Sequence, residues 1–163
     1  IEAIKYCREN EIPVLGLCYG LQLMVVEFAR NVAGLDAASE EFEDGEEHMV
    51  IAELPGQKNL DEMGGTMRLG AYTADVKDRI AEIYGSDTAT ERHRHRYEVN
   101  PEYHGKLESH GLKVSGTMKD RSLAEYIELP SHPFFIGTQA HPEFTSSFQE
   151  PNPLYLEFVK NCR

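Results

Sequence analysis

The chain opens with an amphipathic segment and then alternates between short apolar runs and longer segments with helical spacing. The run PVLGL at 13–17 is apolar throughout, which is typical of a strand covered on both faces. The segment 21–34 is apolar through most of its helical turns and ends at Gly34, so it predicts a buried helix closed by a glycine cap. A strand, a tight turn and a buried helix in this order favour an α/β sheet.

The remaining segments predict further short strands and helices. The first ten residues have helical spacing but no N-cap residue before them, so we interpret them as a helix whose beginning lies upstream of Ile1. Asn100 is expected to cap a turn that begins at Pro101. No repeat or linker divides the chain, which predicts one domain over 1–163. The predicted strands are 49–54, 93–99, 112–118, 123–129 and 133–140, and the predicted helices are 77–84 and 151–163.

The charge of the chain narrows the classes of partner. A formal net charge of -12 at pH 7 disfavours binding to nucleic acid or to an anionic membrane surface. One basic cluster, RHRHR at 92–96, fits either a site for a single anionic ligand or a solvated strand edge. Three cysteines without a signal peptide or long apolar run indicate a reducing compartment, and we expect the cytoplasm.

The segment GLCYG, from Gly16 to Gly20, places a cysteine where the first strand meets the buried helix. In a G-x-nucleophile-x-G turn the glycines permit a strained conformation, and the central side chain projects from the end of the sheet. A cysteine reacts as its thiolate, and a helix N-terminus with a nearby imidazole lowers the pKa of the thiol. The pattern predicts that Cys18 is a nucleophile and that the backbone amide of Tyr19 faces the oxyanion. A glycine-rich turn around a cysteine used only in packing fits the same residues.

A second candidate group follows the last predicted strand, in the segment QAHPEF. His141 and Glu143 face the same way if this segment is extended, so the carboxylate can orient the imidazole as the general base. A turn with a solvated histidine and glutamate is the alternative. Agreement in position favours catalysis, because Cys18 and His141 both follow buried strands, where open α/β sheets place their ligands.

The remaining cysteines and histidines carry no comparable pattern. Cys7 lies within the first predicted helix and Cys162 near the chain end, so packing or exposure explains them. His93 and His95 alternate with arginines, whose positive charges oppose a cation, and no carboxylate or cysteine completes a ligand set at short spacing. We therefore expect no metal site.

Five segments together resemble one protein family. GLCYGLQ, EEF, GGTMRLG, ERHRHRYEVN and QAHPEF, in that order, resemble the glutamine amidotransferase domain of the CTP synthases, over nearly the whole chain. GLCYG and HPEF alone are typical of all class I amidotransferases with a Cys-His-Glu triad, whereas GGTMRLG and RHRHRYEVN are more specific. The resemblance implies an incomplete flavodoxin-like α/β fold, an open sheet with flanking helices that lacks its N-terminal strands.

The resemblance also implies roles for particular residues. Cys18 attacks the side-chain amide of L-glutamine, which forms a γ-glutamyl thioester and releases ammonia, and His141 and Glu143 complete the triad. The residues that resemble the family's glutamine-binding set are Tyr19, Gln22, Glu41 and Arg96.

Two of these residues suit the two charges of a free amino acid. Glu41 offers a carboxylate to its ammonium group, and Arg96 offers a guanidinium to its carboxylate.

Tyr19 stands where the family more often has a small aliphatic residue, so its side chain is expected to narrow the pocket. Arg68, in GGTMRLG, resembles the family's arginine associated with the activator GTP; apart from the resemblance, it fits a solvated arginine on a half-exposed strand.

The resemblance implies a larger protein around this domain. The domain itself needs no cofactor, and its ammonia passes to a synthetase domain that uses ATP and Mg to aminate UTP in a homo-oligomeric enzyme. The family's Gly-rich loop, which supplies a second oxyanion donor, would lie upstream of Ile1. We therefore expect the 163-residue chain alone to hydrolyse glutamine weakly or not at all.

Two other functions fit parts of the same pattern. One is a cysteine hydrolase of similar fold that acts on peptides or other amides, and the CTP synthase-like segments disfavour it. The other is a non-catalytic module for regulation or assembly, which the intact Cys18, His141 and Glu143 disfavour.

Overall fold

The computed structural model of the chain describes residues 1–42, 48–53, 67–118 and 122–163, so residues 64–66 of GGTMRLG lie outside the described ranges. The strands in these ranges are β1 (Val14–Leu17), β2 (Ala37–Ser39), β3 (His48–Ala52), β4 (Arg68–Val76), β5 (Thr88–His95), β6 (Glu98–Val99), β7 (Lys113–Met118), β8 (Ala124–Glu128) and β9 (Phe135–Thr138). The helices are α1 (Glu2–Glu9), α2 (Tyr19–Asn31), α3 (Asp78–Tyr84), α4 (His104–Ser109) and α5 (Pro153–Asn161).

The strands form two sheets. The larger sheet has the order β1-β9-β8-β7-β4-β5, and the smaller has the order β2-β3-β6. In the larger sheet β1 and β9 run parallel, whereas the other neighbouring pairs are antiparallel. The expected α/β class with flanking helices is confirmed, with a large sheet of mixed direction.

Most of the predicted elements are confirmed, including the strand–turn–helix unit at β1 and α2. Asn100 caps the turn at Pro101, because its side chain accepts the backbone N–H of Glu102 at 3.1 Å. The prediction of one strand over 93–99 is wrong, since the chain leaves the larger sheet after His95 and pairs with β3 through β6. Strand β2 was not predicted; its three small residues, AAS, are too few to show a period.

Apolar side chains pack on both faces of the larger sheet, and strand alternation explains how. Ile127 and Phe135 belong to the apolar cluster around α2, whereas their chain neighbours Tyr126 and Ile136 belong to the cluster beneath α3 and α5. Successive strand residues point to opposite faces, so continuous apolar runs serve both clusters.

Each helix in the described ranges is too short or too polar to span a lipid bilayer.

A close backbone contact at Gly16 sets the position of α2 against β1. A Cβ atom at Gly16 would lie 2.8 Å from the carbonyl carbon of Gly20 and 2.9 Å from its oxygen. Real Cβ atoms do not approach backbone atoms so closely, so any side chain at this position pushes the helix away. A Cβ atom at Gly20 meets nothing within 4 Å, so only the first glycine of GLCYG is required by packing.

Replacing the two glycines separately tests this contact. Gly16→Ala is expected to lower the free energy of unfolding by about 1–3 kcal/mol, because the clash is with backbone that cannot rotate away. The matched control, Gly20→Ala, adds the same methyl group within helix α2 and is expected to be neutral or slightly stabilising. Urea unfolding of both variants measures the difference; equal stabilities would contradict the assigned contact.

Candidate active site

Cys18 lies between β1 and α2 in the sharp turn that GLCYG predicts. Its φ of 50° and ψ of -102° are rare for a residue with a side chain, so the surrounding structure must hold this conformation. The backbone N–H of Cys18 donates to the carbonyl of Thr138 in β9 at 2.8 Å. The half-buried thiol is thereby placed at the N-terminus of α2.

His141 and Glu143 follow the neighbouring strand. Because β1 and β9 are parallel and Leu17 pairs with Thr138, both candidate groups emerge at the same end of the sheet. His141 Nδ1 lies 2.6 Å from Glu143 Oε1. The expectation that the pair lies on an extended segment is wrong: residues Pro142–Phe144 form a 3-10 turn, and the contact closes across it.

The edge of β5 that faces away from β4 receives three groups of the site. The carbonyl of Arg92 accepts the backbone N–H of His141 at 2.8 Å, and the carbonyl of Arg94 accepts the thiol of Cys18 at 4.0 Å. Just beyond β5, the carbonyl of Tyr97 accepts the Gln22 side-chain amide at 2.9 Å. Carbonyls that an edge strand leaves unpaired are thus used to hold the site together.

A cavity of about 280 Å³ opens beside the thiol. Five residues predicted from the sequence line it together: Cys18, Tyr19, Gln22, Glu41 and Arg96. Its other described lining residues are Arg94 and His95, from the basic cluster at 92–96, and Met67 and Tyr97, to which the sequence analysis gave no role.

Two further observations describe the cavity. Gln22 Oε1 is buried without a hydrogen-bond partner among the described residues. His141 and Glu143 are not among the described lining residues, and they adjoin the site through the Arg92 carbonyl.

The thiol has an unusual electrostatic setting. Burial raises the pKa of the Cys18 thiol, and the carboxylates of Glu41 and Glu143 raise it further, whereas hydrogen bonds from the Tyr19 backbone N–H and the Gln139 side chain lower it. The net direction is upward, so the expectation of a lowered pKa is wrong. Burial and two carboxylates outweigh the donors at the helix N-terminus.

The basic cluster at 92–96 divides between two environments. Arg92, Arg94 and Arg96 are exposed, whereas His93 and His95 point inward and are buried. Burial and the neighbouring Arg68 lower the pKa of His93 to about 2 and that of His95 to about 3, so both rings are neutral. The solvated-edge interpretation therefore holds for Arg92, whereas Arg94 and Arg96 line the cavity and suit the alternative, a site for an anionic ligand.

Arg68 lies in a buried ionic cluster. Its guanidinium contacts Glu98 at 3.1 Å and Glu125 at 2.7 Å and lies 4.5 Å from the ring centre of Tyr72. The interpretation of Arg68 as a solvated residue is wrong, since its side chain is only 6% exposed. The strand that was predicted to be half exposed turns this residue towards β6 and β8.

A second buried carboxylate fixes the turn that carries His141. Glu91 accepts hydrogen bonds from Tyr84, at 2.9 Å, and from the side chains of Thr145 and Asn152. Thr145 directly follows the 3-10 turn, and Asn152 caps α5. One side chain of β5 therefore anchors both segments, a role that sequence alone did not indicate.

The described residues include no group of three or more histidine, cysteine, aspartate or glutamate side chains arranged to hold a metal ion. The chemistry that the described residues can supply is that of a thiol, an imidazole–carboxylate pair, and a cavity with both a carboxylate and a guanidinium.

Solved structures share this fold. The glutaminase domain of CTPS from Trypanosoma brucei, with bound acivicin, has a TM-score of 0.91 and 39% identity, and the match covers 98% of this chain and 63% of that chain. A glutamine amidotransferase from Thermotoga maritima has a TM-score of 0.52 at 14% identity, covering 87% of this chain and 45% of that one, which shows the fold alone.

Curated relatives are similar in sequence as well. A CTP synthase of Methanoregula boonei is 55% identical over 166 residues, covering 100% of this chain and 31% of the relative. A CTP synthase of Methanococcus maripaludis is 54% identical over 162 residues, covering 98% of this chain and 30% of the relative. The chain thus spans a little under a third of the length of these relatives.

The family model described as glutamine amidotransferase class-I matches residues 1–161, a range that contains the cysteine turn, the histidine–glutamate pair and the cavity beside the thiol. On this match, the chain belongs to the class I glutamine amidotransferase family.

Proposed function

We propose that this chain hydrolyses the side-chain amide of L-glutamine and that the ammonia passes to a synthetase domain that aminates UTP to CTP. The observation that carries the proposal is the cavity of about 280 Å³, which brings the thiol of Cys18 together with the carboxylate of Glu41 and the guanidinium groups of Arg94 and Arg96. In this proposal, as the resemblance implies, Glu41 binds the ammonium group of a free amino acid and Arg96 binds its carboxylate.

The reaction follows from the roles of the site residues. The sulfur of Cys18 attacks the amide carbon, and the backbone N–H of Tyr19 stabilises the oxyanion of the tetrahedral intermediate. The imidazole of His141, oriented by Glu143, transfers a proton to the leaving nitrogen, so that ammonia departs and a thioester remains. Water activated by the same imidazole then hydrolyses the thioester, which releases glutamate and restores the thiol.

Substrate binding changes the electrostatic setting of the thiol. Burial is the largest cause of the raised pKa of Cys18, and the carboxylate of Glu41 raises it further. In the proposed complex, an ammonium group paired with Glu41 offsets that second contribution, which favours the thiolate.

The names and lengths of the relatives support a larger setting for the chain. We propose that residues 1–163 are one glutaminase domain of a cytoplasmic, homo-oligomeric CTP synthase whose synthetase domain binds ATP and Mg. We also propose that Arg68 takes part in the activation of the domain by GTP. Its effect is indirect, because its guanidinium is buried between Glu98 and Glu125.

The two rival functions have less support. A peptide or other amide hydrolase does not account for relatives 54–55% identical that are named CTP synthases. A non-catalytic module does not account for a strained cysteine turn and a histidine–glutamate pair set at the same end of the sheet.

Removing the thiol tests the proposed reaction. In a CTP synthase that contains this chain, Cys18→Ala is expected to abolish glutamine-dependent CTP formation and to leave ammonia-dependent formation intact, because only the first needs the nucleophile. Cys162→Ala, at an exposed cysteine, is the matched control and is expected to change neither activity. Loss of both activities in Cys18→Ala would show that the cysteine is structural, and retention of both would refute the proposal.

The charged residues of the cavity are tested through the KM for glutamine. Glu41→Gln and Arg96→Gln are each expected to raise KM about 10- to 100-fold, since each removes a hydrogen bond to a charged group worth about 1.5–3 kcal/mol. Arg92→Gln is the matched control, because its exposed side chain is not among the described lining residues. Steady-state kinetics that show an unchanged KM in both cavity variants would assign the amino-acid charges to other residues.

A further inference from the structure

Gln139 is a fully buried polar residue in the segment between β9 and His141. Its side-chain nitrogen lies 3.6 Å from the sulfur of Cys18, and its backbone N–H donates to the carbonyl of Glu125 in β8 at 2.9 Å. The proposed reaction described above gives this residue no role. Sequence reasoning passed over it because a single glutamine at the end of an apolar strand carries no pattern.

A chain of hydrogen bonds sets the orientation of its amide. The Gln22 side-chain nitrogen donates to the carbonyl of Tyr97 at 2.9 Å, and a backbone carbonyl only accepts, so this end of Gln22 must be its NH₂ group. The same NH₂ group reaches Gln139 Oε1 at 3.3 Å. Gln139 is therefore held with its own NH₂ group towards the sulfur.

We propose that Gln139 is a further catalytic residue, whose amide donates to the Cys18 sulfur, holds it for attack and stabilises its thiolate form, with Gln22 as the positioning residue. The proposal rests on the proposed function, since it requires Cys18 to be the nucleophile. A hydrogen bond to a charged acceptor is about twice as strong as one to a neutral acceptor, so the contact favours the thiolate over the thiol.

A neutral donor suits this position. The charged or titratable groups of the site come from the segment after β2, the turn after β9, and β5 with its extension. Glu41 and Glu143 act on the sulfur electrostatically, Arg94, His95 and Arg96 line the cavity with Glu41, and His141 contacts Glu143. Burial and the two carboxylates oppose the thiolate, and Gln139 counters them without adding a charge that titrates or that competes for the substrate's carboxylate.

The test uses a CTP synthase that contains this chain and measures Cys18 directly. The rate at which iodoacetamide alkylates Cys18, followed by peptide mapping as a function of pH, gives the ionisation midpoint of the thiol without requiring glutamine turnover. Gln139→Met is expected to raise this midpoint by about one to two pH units, because it removes the amide donor. The kcat/KM for glutamine at neutral pH is expected to fall about 10- to 100-fold, with its acid limb displaced in the same direction.

Two further variants are compared with Gln139→Met. Ser115→Ala removes a buried hydroxyl in β7, away from the cavity, and is expected to leave the midpoint unchanged. Gln139→Glu keeps the length and branching of the side chain but replaces the donor by an acceptor, and is expected to raise the midpoint at least as far as Gln139→Met. If Gln139→Met loses ammonia-dependent activity through misfolding, Gln139→Leu decides the result, because it also removes the amide donor without adding a charge beside the sulfur.

The outcomes separate this proposal from the proposed function. A midpoint equal to that of the unsubstituted protein, in a variant with normal ammonia-dependent activity, overturns the role of Gln139 and leaves the function of Cys18 untouched. Glutamine-dependent activity that survives Cys18→Ala overturns the proposed function, whatever the Gln139 variants show.

Discussion

The site depends on the free edge of one strand. In the part of the chain that the structure describes, β5 is the last strand of the larger sheet, and only one of its edges pairs with another strand, β4. The carbonyls of Arg92 and Arg94 on the other edge accept the His141 backbone and the Cys18 thiol, and Tyr97 continues the row with Gln22. Polar backbone groups that would otherwise need water or another strand thus set the spacing between the nucleophile and its base.

The two faces of the same strand carry the rest of the arrangement. Alternation turns Arg94 outward to the cavity and turns Glu91 inward, where it anchors the turn after His141. Neutral His93 and His95 lie on the inner face beside the ionic cluster of Arg68. A shift of β5 by one residue would exchange these sets, so the buried inner face fixes the register on which the edge carbonyls depend.

Sequence indicated the parts of the site that rest on local chemistry. The turn at Cys18 followed from its glycines, and the placement of Cys18 and His141 at one end of the sheet followed from the apolar runs before them. The burial of Arg68, the donor at Gln139 and the anchor at Glu91 depend on contacts between distant segments, which no local pattern shows. The expected direction of the Cys18 pKa shift was wrong for the same reason, because the burial of the thiol and the opposing carboxylates both come from other parts of the chain.

Hydrogen exchange at the backbone amide of His141 measures whether the edge of β5 holds this residue in place before substrate binds. If the Arg92 carbonyl fixes this residue before substrate arrives, the His141 N–H of the substrate-free protein exchanges about as slowly as the Cys18 N–H, which is bonded to Thr138 within the sheet. Exchange of His141 at the rate of an unstructured peptide, with Cys18 protected, would contradict the claim that the edge of β5 assembles the site.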